Sequence, residues 1–160
     1  MSQVRSSAGS TLSISAAKPA TFDATGYEAL MLTEIAEITD LGEFGRVYEL
    51  ITQNTLGSRG TQKFKGSFNE GSMTIQLGSS TGTDGDEGQA LARTARDSDA
   101  DYSFVVTTQN GDQYFFQAKV MSFTTSIGGT ASLTNAAINL EINTTSTGVG
   151  IVEVWAAAPV

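Results

Sequence analysis

Aspartates at alternate positions are the residues of this sequence whose spacing most resembles that of a metal-binding site. Asp97, Asp99 and Asp101 match the opening of an EF-hand calcium loop, in which carboxylates recur at every second position. Tyr102 stands where that loop requires glycine, and Thr108 stands where it requires the bidentate glutamate. The segment therefore favours a solvated turn over a calcium site, and we predict no bound metal or cofactor.

A second acidic group lies shortly before the first and fails the same calcium template. Asp84, Asp86 and Glu87 precede a short apolar stripe that includes Leu91 and Ala95. Carboxylates stabilise the electropositive N-terminus of a helix. This pattern predicts one helix between residues 86 and 97, with the acidic group at its start.

This chain has few residues of the types that commonly catalyse reactions in enzymes. It contains no Cys and no His, which removes thiolate nucleophiles, most zinc and haem sites, and the imidazole base of most serine and cysteine hydrolases. Glu34 with Glu37, or Glu43 with Glu49, could supply the acid and base of a glycosidase. Such pairs arise by chance among 17 acidic residues, so we predict a protein without catalytic residues.

The net charge limits the kinds of partner that the chain can bind. Seventeen acidic and nine basic residues give a net charge of −8, which disfavours tight binding to nucleic acid or to an anionic membrane. No uninterrupted apolar stretch is long enough for a signal peptide or a membrane span. We therefore expect the chain to stay in the cytoplasm where it is made until it assembles or is released.

Hydrophobic residues alternate along most of the chain with the period of two that is typical of strands. Residues 72–77 form one such strand and residues 136–142 form another. Asn110-Gly111 joins residues 102–108 to residues 112–123 through a predicted type I′ turn. Weaker patterns predict strands at residues 12–16, 32–38, 47–52 and 151–155.

The fold class follows from these strands. Met121 and Phe123 continue the apolar pattern of the second hairpin strand on its other face, which indicates a bulge or burial on both sides. We predict one domain over residues 1–160, mainly β, with a β-sandwich or barrel architecture and one flanking helix.

Residues 53–71 separate two predicted strands by more than a hairpin needs, and we interpret them as a long inter-strand loop. Basic and aromatic side chains in a loop can bind single-stranded nucleic acid, but the acidic net charge favours contacts between copies of the protein. The candidates in and just before the loop are Arg46, Arg59, Lys63, Phe64, Lys65 and Phe68.

We interpret residues 1–10 and 143–160 as two terminal arms. Residues 1–10 and 143–150 are rich in Ser, Thr and Gly, which offer little apolar surface to pack against a core. The C-terminal arm continues into an apolar run. Ile151, Val154 and Trp155 of this run are candidates either for an anchor on a neighbour or for the last strand of the core.

Three stretches of the sequence resemble the major tail tube proteins of bacteriophages with long, non-contractile tails. They read TEIAEITDLGEFGRVYELITQNTLGSRGTQKFKGSFNEGSMTIQL, DSDADYSFVVTTQNGDQYFFQAKVMSFTTSIGG and STGVGIVEV. The resemblance extends from about residue 33 to the C-terminal arm. It is carried by the order of long basic loop, short helix, Asn-Gly hairpin and arm rather than by any single motif.

The resemblance implies a structural protein of the virion. Six subunits would close a ring, rings would stack through the long loop and the arms, and an inner sheet would line a channel for double-stranded DNA. Tape-measure, tail terminator and distal tail proteins are the further partners that it implies. A tube subunit of a contractile tail or secretion system, and a monomeric β-sandwich binding module, remain alternatives.

Charge suggests how such subunits would meet. Opposite charges on two surfaces of one subunit suit a head-to-tail assembly, and an acidic channel wall would repel DNA phosphates. The candidates for the channel wall are Glu34, Glu37 and Glu141. The acidic partners expected for the basic loop are Asp84, Asp86, Glu87, Asp97, Asp99 and Asp101.

Overall fold

The computed structural model describes residues 4–156, which form ten strands and two helices. In chain order these are β1 (Thr11–Ser15), α1 (Ala24–Glu28), β2 (Thr33–Ile35), β3 (Ile38–Asp40), β4 (Val47–Asn54), β5 (Thr61–Asn69), β6 (Ser72–Gly78), α2 (Glu87–Arg96), β7 (Tyr102–Thr107), β8 (Gln113–Ser126), β9 (Asn135–Asn143) and β10 (Val152–Val154). The ends of the two predicted arms, residues 1–3 and 157–160, lie outside this range. The mainly β fold confirms the predicted fold class.

Eight strands form one antiparallel sheet that curls until its two edges meet. The order is β2-β1-β7-β8-β9-β6-β3, and β10 pairs with β8. β2 and β3 lie at opposite ends of this order, yet only Ala36 and Glu37 separate them in the sequence. The two edges are therefore joined through the chain itself, which leaves less free edge for other strands to pair with.

Gln89 of α2 holds the place where the two edges meet, which we call the seam. Its amide nitrogen donates hydrogen bonds to the carbonyl oxygens of Ala36 at 3.0 Å and Gly78 at 2.9 Å. Its amide oxygen accepts a hydrogen bond from the N–H of Ser80 at 2.9 Å. Gln89 is fully buried, so one side chain satisfies three backbone groups in a place removed from solvent.

The start of α2 lies directly against the seam. Asp86 caps the helix by accepting a hydrogen bond from the N–H of Gln89 at 2.8 Å, and the same oxygen accepts from the N–H of Ala36 at 3.1 Å. A Cβ atom on Gly88 would lie 2.2 Å from the carbonyl oxygen of Glu34. Only glycine at this position lets the helix approach β2 so closely.

The interior of the curled sheet is filled by the apolar residues that alternate along its strands. The predicted inward faces of β6 and β9 are buried, and α2 adds Ala92 and Ala95, both fully buried. A smaller cluster packs Tyr27 of α1 against Val105 and Phe115, with the rings of Tyr27 and Phe115 5.3 Å apart. The structure confirms α2 and adds α1, which the sequence pattern does not predict.

Two local predictions are wrong. Residues 32–38 do not form one strand, because Glu37 has a φ of 65° and the chain turns there from β2 into β3. The turn at Asn110-Gly111 is not type I′, because of its two central residues only Gly111 has a positive φ, 94°. The N–H of Gly111 donates to the carbonyl of Thr108 at 3.0 Å, as in a type I turn followed by a left-handed glycine.

The bulge predicted in β8 is confirmed. The register with β9 shifts between Val120 and Ser122. Met121 is consequently 58% exposed, while Phe123 returns to the core. The extra residue explains why the apolar pattern of this strand changes faces in the sequence.

Substitution of Gln89 by alanine tests the seam. We expect the free energy of unfolding to fall by about 3 kcal/mol, because three buried backbone groups lose their partner. Urea denaturation of the monomer measures this change. Gln109→Ala removes the same amide from an exposed position and should cost less than about 0.5 kcal/mol. Equal stabilities for the two variants would contradict the role of Gln89.

Candidate assembly surface

The long loop predicted at residues 53–71 is mostly a β-hairpin, which corrects the sequence interpretation. β4 and β5 pair with each other in a separate two-stranded sheet and are joined by a tip at residues 55–60. We call β4, the tip and β5 the hairpin. Almost every residue in it is exposed.

The hairpin has a basic face and an apolar face. Residues that pair across two strands share a face, so the register of β4 with β5 assigns the side chains. The basic face carries Tyr48, Leu50, Lys63, Lys65 and Phe68, and the apolar face carries Val47, Ile51 and Phe64. Lys65 also places its Nζ 5.0 Å from the centre of the Tyr48 ring.

A bulge in β5 separates Phe64 from Phe68. Between the pairs that Tyr48 and Leu50 make, two residues of β5 stand opposite Glu49. Residues four apart in a regular strand share a face, but the extra residue places these two phenylalanines on opposite faces. Phe64 is 50% exposed, whereas the Phe68 ring packs 5.6 Å from that of Tyr48. The two predicted anchors therefore have different surroundings.

Little among residues 4–156 covers the apolar side chains of the hairpin. Leu56 at the tip is fully exposed, and Val47 and Leu50 are 69% and 63% exposed. A two-stranded hairpin on its own is marginally stable in water. A concentration of exposed apolar residues is typical of an interface between proteins, so the hairpin is the candidate assembly surface.

A partly buried ion pair fixes the base of the hairpin. Arg46 donates a hydrogen bond from Nε to Oε1 of Glu70 at 2.6 Å, and its guanidinium lies 4.1 Å from the centre of the Phe68 ring. Hydrogen bonds to Tyr48 and to Glu70 raise the pKa of Arg46. Glu70 is 1% exposed, and its second oxygen has no hydrogen-bond partner among residues 4–156. The buried carboxylate therefore depends on Arg46 for its neutralisation.

The remaining basic candidate, Arg59, lies in the exposed tip. Half of the acidic partner candidates, by contrast, are engaged within the subunit. Asp86 caps α2, Asp97 accepts two hydrogen bonds from Arg96, which lower the pKa of Asp97, and Asp101 lies 2.7 Å from Nζ of Lys119. The exposed members of the group are Asp84, Glu87, Asp97 and Asp99.

The candidates for the channel wall are exposed at separate places on the sheet. Glu34 lies on the edge strand β2, Glu37 lies in the link to β3, and Glu141 lies on β9. Glu141 pairs with Ser72 of β6 and with Lys119 of β8 on the face opposite the main core.

The three C-terminal candidates belong partly to the subunit's own core. Ile151 packs against the main core, and Val154 packs against the smaller cluster as part of β10. Trp155 is 60% exposed, and its ring lies 5.8 Å from that of Tyr114. Within the described residues, the apolar run therefore supplies a last strand of the sheet and one exposed aromatic ring.

Residues 4–156 contain neither a candidate metal cluster nor a membrane-spanning helix. No three Asp or Glu side chains in this range lie close enough together to hold a metal ion. Neither helix in this range is long and apolar enough to cross a membrane.

Comparison with known proteins gives matches in structure. No protein-family model and no curated protein sequence matches it. A protein of the anti-feeding prophage baseplate superposes with a TM-score of 0.64 at 10% identity, over 96% of this chain and 97% of that one. A structure of the sheath/tube terminator of a PVC extracellular contractile injection system gives a TM-score of 0.66 at 9% identity, over 96% and 99% of the two chains.

The SPP1 tail tube gives a TM-score of 0.58 at 16% identity, over 90% of this chain and 75% of that one. The chain has the fold of tail tube proteins. At these identities the shared property is the fold.

Sequence reasoning missed several residues of the candidate assembly surface. Tyr48 and Leu56 were not singled out, because the bulge in β5 interrupts the alternation that would have identified a hairpin. Glu70 was missed because an isolated glutamate between a loop and a strand gives no signal of burial. Only the position of Arg46, 24 residues earlier, could have suggested a partner.

Substitution of Arg46 tests the ion pair at the base of the hairpin. We expect Arg46→Ala to lower the free energy of unfolding by about 2 kcal/mol, less than for a fully buried pair because the arginine is 37% exposed. The double variant Arg46→Ala with Glu70→Gln should be more stable than Arg46→Ala, since no unpaired carboxylate remains. Denaturant unfolding of both variants measures the difference, and a double variant less stable than the single one would refute the assignment.

Proposed function

We propose that this protein is the subunit of a phage tail tube and that it acts by assembling with copies of itself, without catalysis. The observation that carries the proposal is the hairpin. It exposes apolar and basic side chains that the rest of residues 4–156 leaves largely uncovered, on a fold shared with tube and baseplate components. A surface of this kind becomes stable when a neighbouring copy covers it.

The proposed assembly is a six-membered ring, and rings stack into a hollow tube. Head-to-tail contacts close a ring when the rotation between subunits closes, and a second surface on the same subunit then stacks the rings. The basic and apolar faces of the hairpin offer two such surfaces. The sequence resemblance supports a long, non-contractile tail, in which tape-measure, terminator and distal tail proteins are the further partners.

The channel of such a tube would let double-stranded DNA pass without binding it. The net charge of −8 per subunit repels phosphates. The outward face of β6, β8 and β9 carries Glu141 among polar side chains, with Lys119 held by Asp101. We propose that this face lines the channel and that the protein resides in the virion after assembly from the host cytoplasm.

A tube of a contractile injection system is the second candidate function. Two of the structural neighbours come from the baseplate or the sheath/tube terminator of such systems. The two functions differ in whether a sheath surrounds the tube. Electron microscopy of particles from the source decides between them, because a sheath is visible as an outer layer.

Substitution of Phe64 tests the proposed function. We expect the wild-type protein to form rings or hollow tubes under the electron microscope and Phe64→Ala to form none, because burying this ring in a neighbour contributes on the order of 2 kcal/mol at every repeated contact. Circular dichroism should show an unchanged fold. Met31→Ala truncates a 93% exposed apolar side chain outside the hairpin and should leave assembly intact. A wild-type protein that stays monomeric in sedimentation at high concentration would favour a binding module instead.

A further inference from the structure

We propose that the tip of the hairpin docks into a groove on the next copy, lined by Asp40, Phe44, Tyr114 and Glu153. We call this the acceptor groove. The inference rests on the proposed function and names the surface that receives the hairpin. It replaces the acidic residues around α2, which the sequence alone favoured for that role.

The acceptor groove is an open cleft with an aromatic floor. It has a volume of about 740 Å³. The rings of Phe44 and Tyr114 meet edge to face with centroids 5.2 Å apart, and the Trp155 ring also meets that of Tyr114 edge to face, at 5.8 Å. Both Phe44 and Tyr114 are only half-buried. Aromatic rings in this state offer an apolar surface to a ligand and negative π faces to a cation.

The rim of the groove is acidic. Asp40 and Glu153 are exposed, and no basic side chain among residues 4–156 lies within 4.0 Å of either carboxylate. Burial, together with the negative charges of Glu153 and Asp112, raises the pKa of Tyr114. The groove therefore combines apolar contact with two rim carboxylates that form no ion pair among residues 4–156.

The hairpin tip has the complementary chemistry. Leu56 is fully exposed, and Arg59 lies three residues further along the same tip. An aliphatic side chain on the aromatic floor and a guanidinium between the two carboxylates would satisfy both features of the groove. The acidic residues around α2 fit less well, because Asp86, Asp97 and Asp101 are already engaged.

The position of the groove requires that the tip come from another copy. Phe44 lies two residues before Arg46, and Glu153 lines a cleft with Arg46 and Glu70 at the base of the hairpin. β4 has eight residues, so the tip lies about 26 Å from the base at about 3.3 Å per residue. An extended hairpin cannot reach the groove beside its own base. Tip and groove therefore form a head-to-tail contact that repeats from copy to copy.

Cysteine cross-linking tests the contact, and the chain has no native Cys to interfere. The double variant Leu56→Cys with Thr39→Cys places one thiol on the tip and one in the groove lining. Under oxidising conditions we expect a ladder of covalent oligomers that collapses on reduction. Leu56→Cys with Asp84→Cys is the matched control for the α2 surface, and Leu56→Cys alone controls for tip-to-tip disulfides. Both should give no ladder beyond the dimer.

The outcomes separate the groove from the proposed function. If tubes form but the ladder does not require Thr39→Cys, or if it forms with Asp84→Cys instead, the acceptor groove is wrong. The proposed tube function would still stand. A wild-type protein that forms no assembly would overturn both.

Charge exchange gives an independent readout. We expect Glu153→Lys and Arg59→Glu each to lower the yield of tubes about tenfold at low salt, and the double variant to regain most of it. Asp84→Lys should leave the yield within about twofold. If the double variant loses as many tubes as each single variant while circular dichroism shows an intact fold, the result would argue against the pairing of Arg59 with Glu153.

Discussion

The three hydrogen bonds of the buried Gln89 side chain are the interaction on which the rest of the structure depends. They hold β2 and β3 at the seam, where the two edges of the curled sheet meet. β3 also pairs with β6, and the hairpin lies within the segment of chain between these two strands. The direction in which the hairpin leaves the subunit is therefore set at the seam and fixed again at its base by Arg46 and Glu70.

The chain thus combines a curled sheet that buries its own core with a hairpin that does not. The curled sheet buries a continuous apolar core together with α2, as an independent domain must. The hairpin has hydrogen bonds between its strands but exposes the side chains of both faces. Under the proposed assembly, the hairpin of such a subunit would gain order when neighbouring copies cover it, which would couple assembly to local folding.

Sequence reasoning recovered the elements in which the periodic pattern is regular. β6, β9 and α2 follow the alternation or helical stripe of their apolar residues, so their buried faces could be predicted. It failed where one residue breaks the pattern: the left-handed Glu37 splits β2 from β3, and the bulge in β5 hides the hairpin. It also missed Glu70 and Glu153, since contacts between residues distant in the chain leave no local signal.

Hydrogen–deuterium exchange, compared between the free subunit and the assembled protein, tests the central claim most directly. The account predicts fast exchange of the hairpin amides in the free subunit and strong protection after assembly, because neighbouring copies then cover both faces. Amides at the seam, around Ala36 and Gly78, should be protected in both states. Strong protection of the hairpin in the free subunit, or no gain in its protection on assembly, would contradict the account.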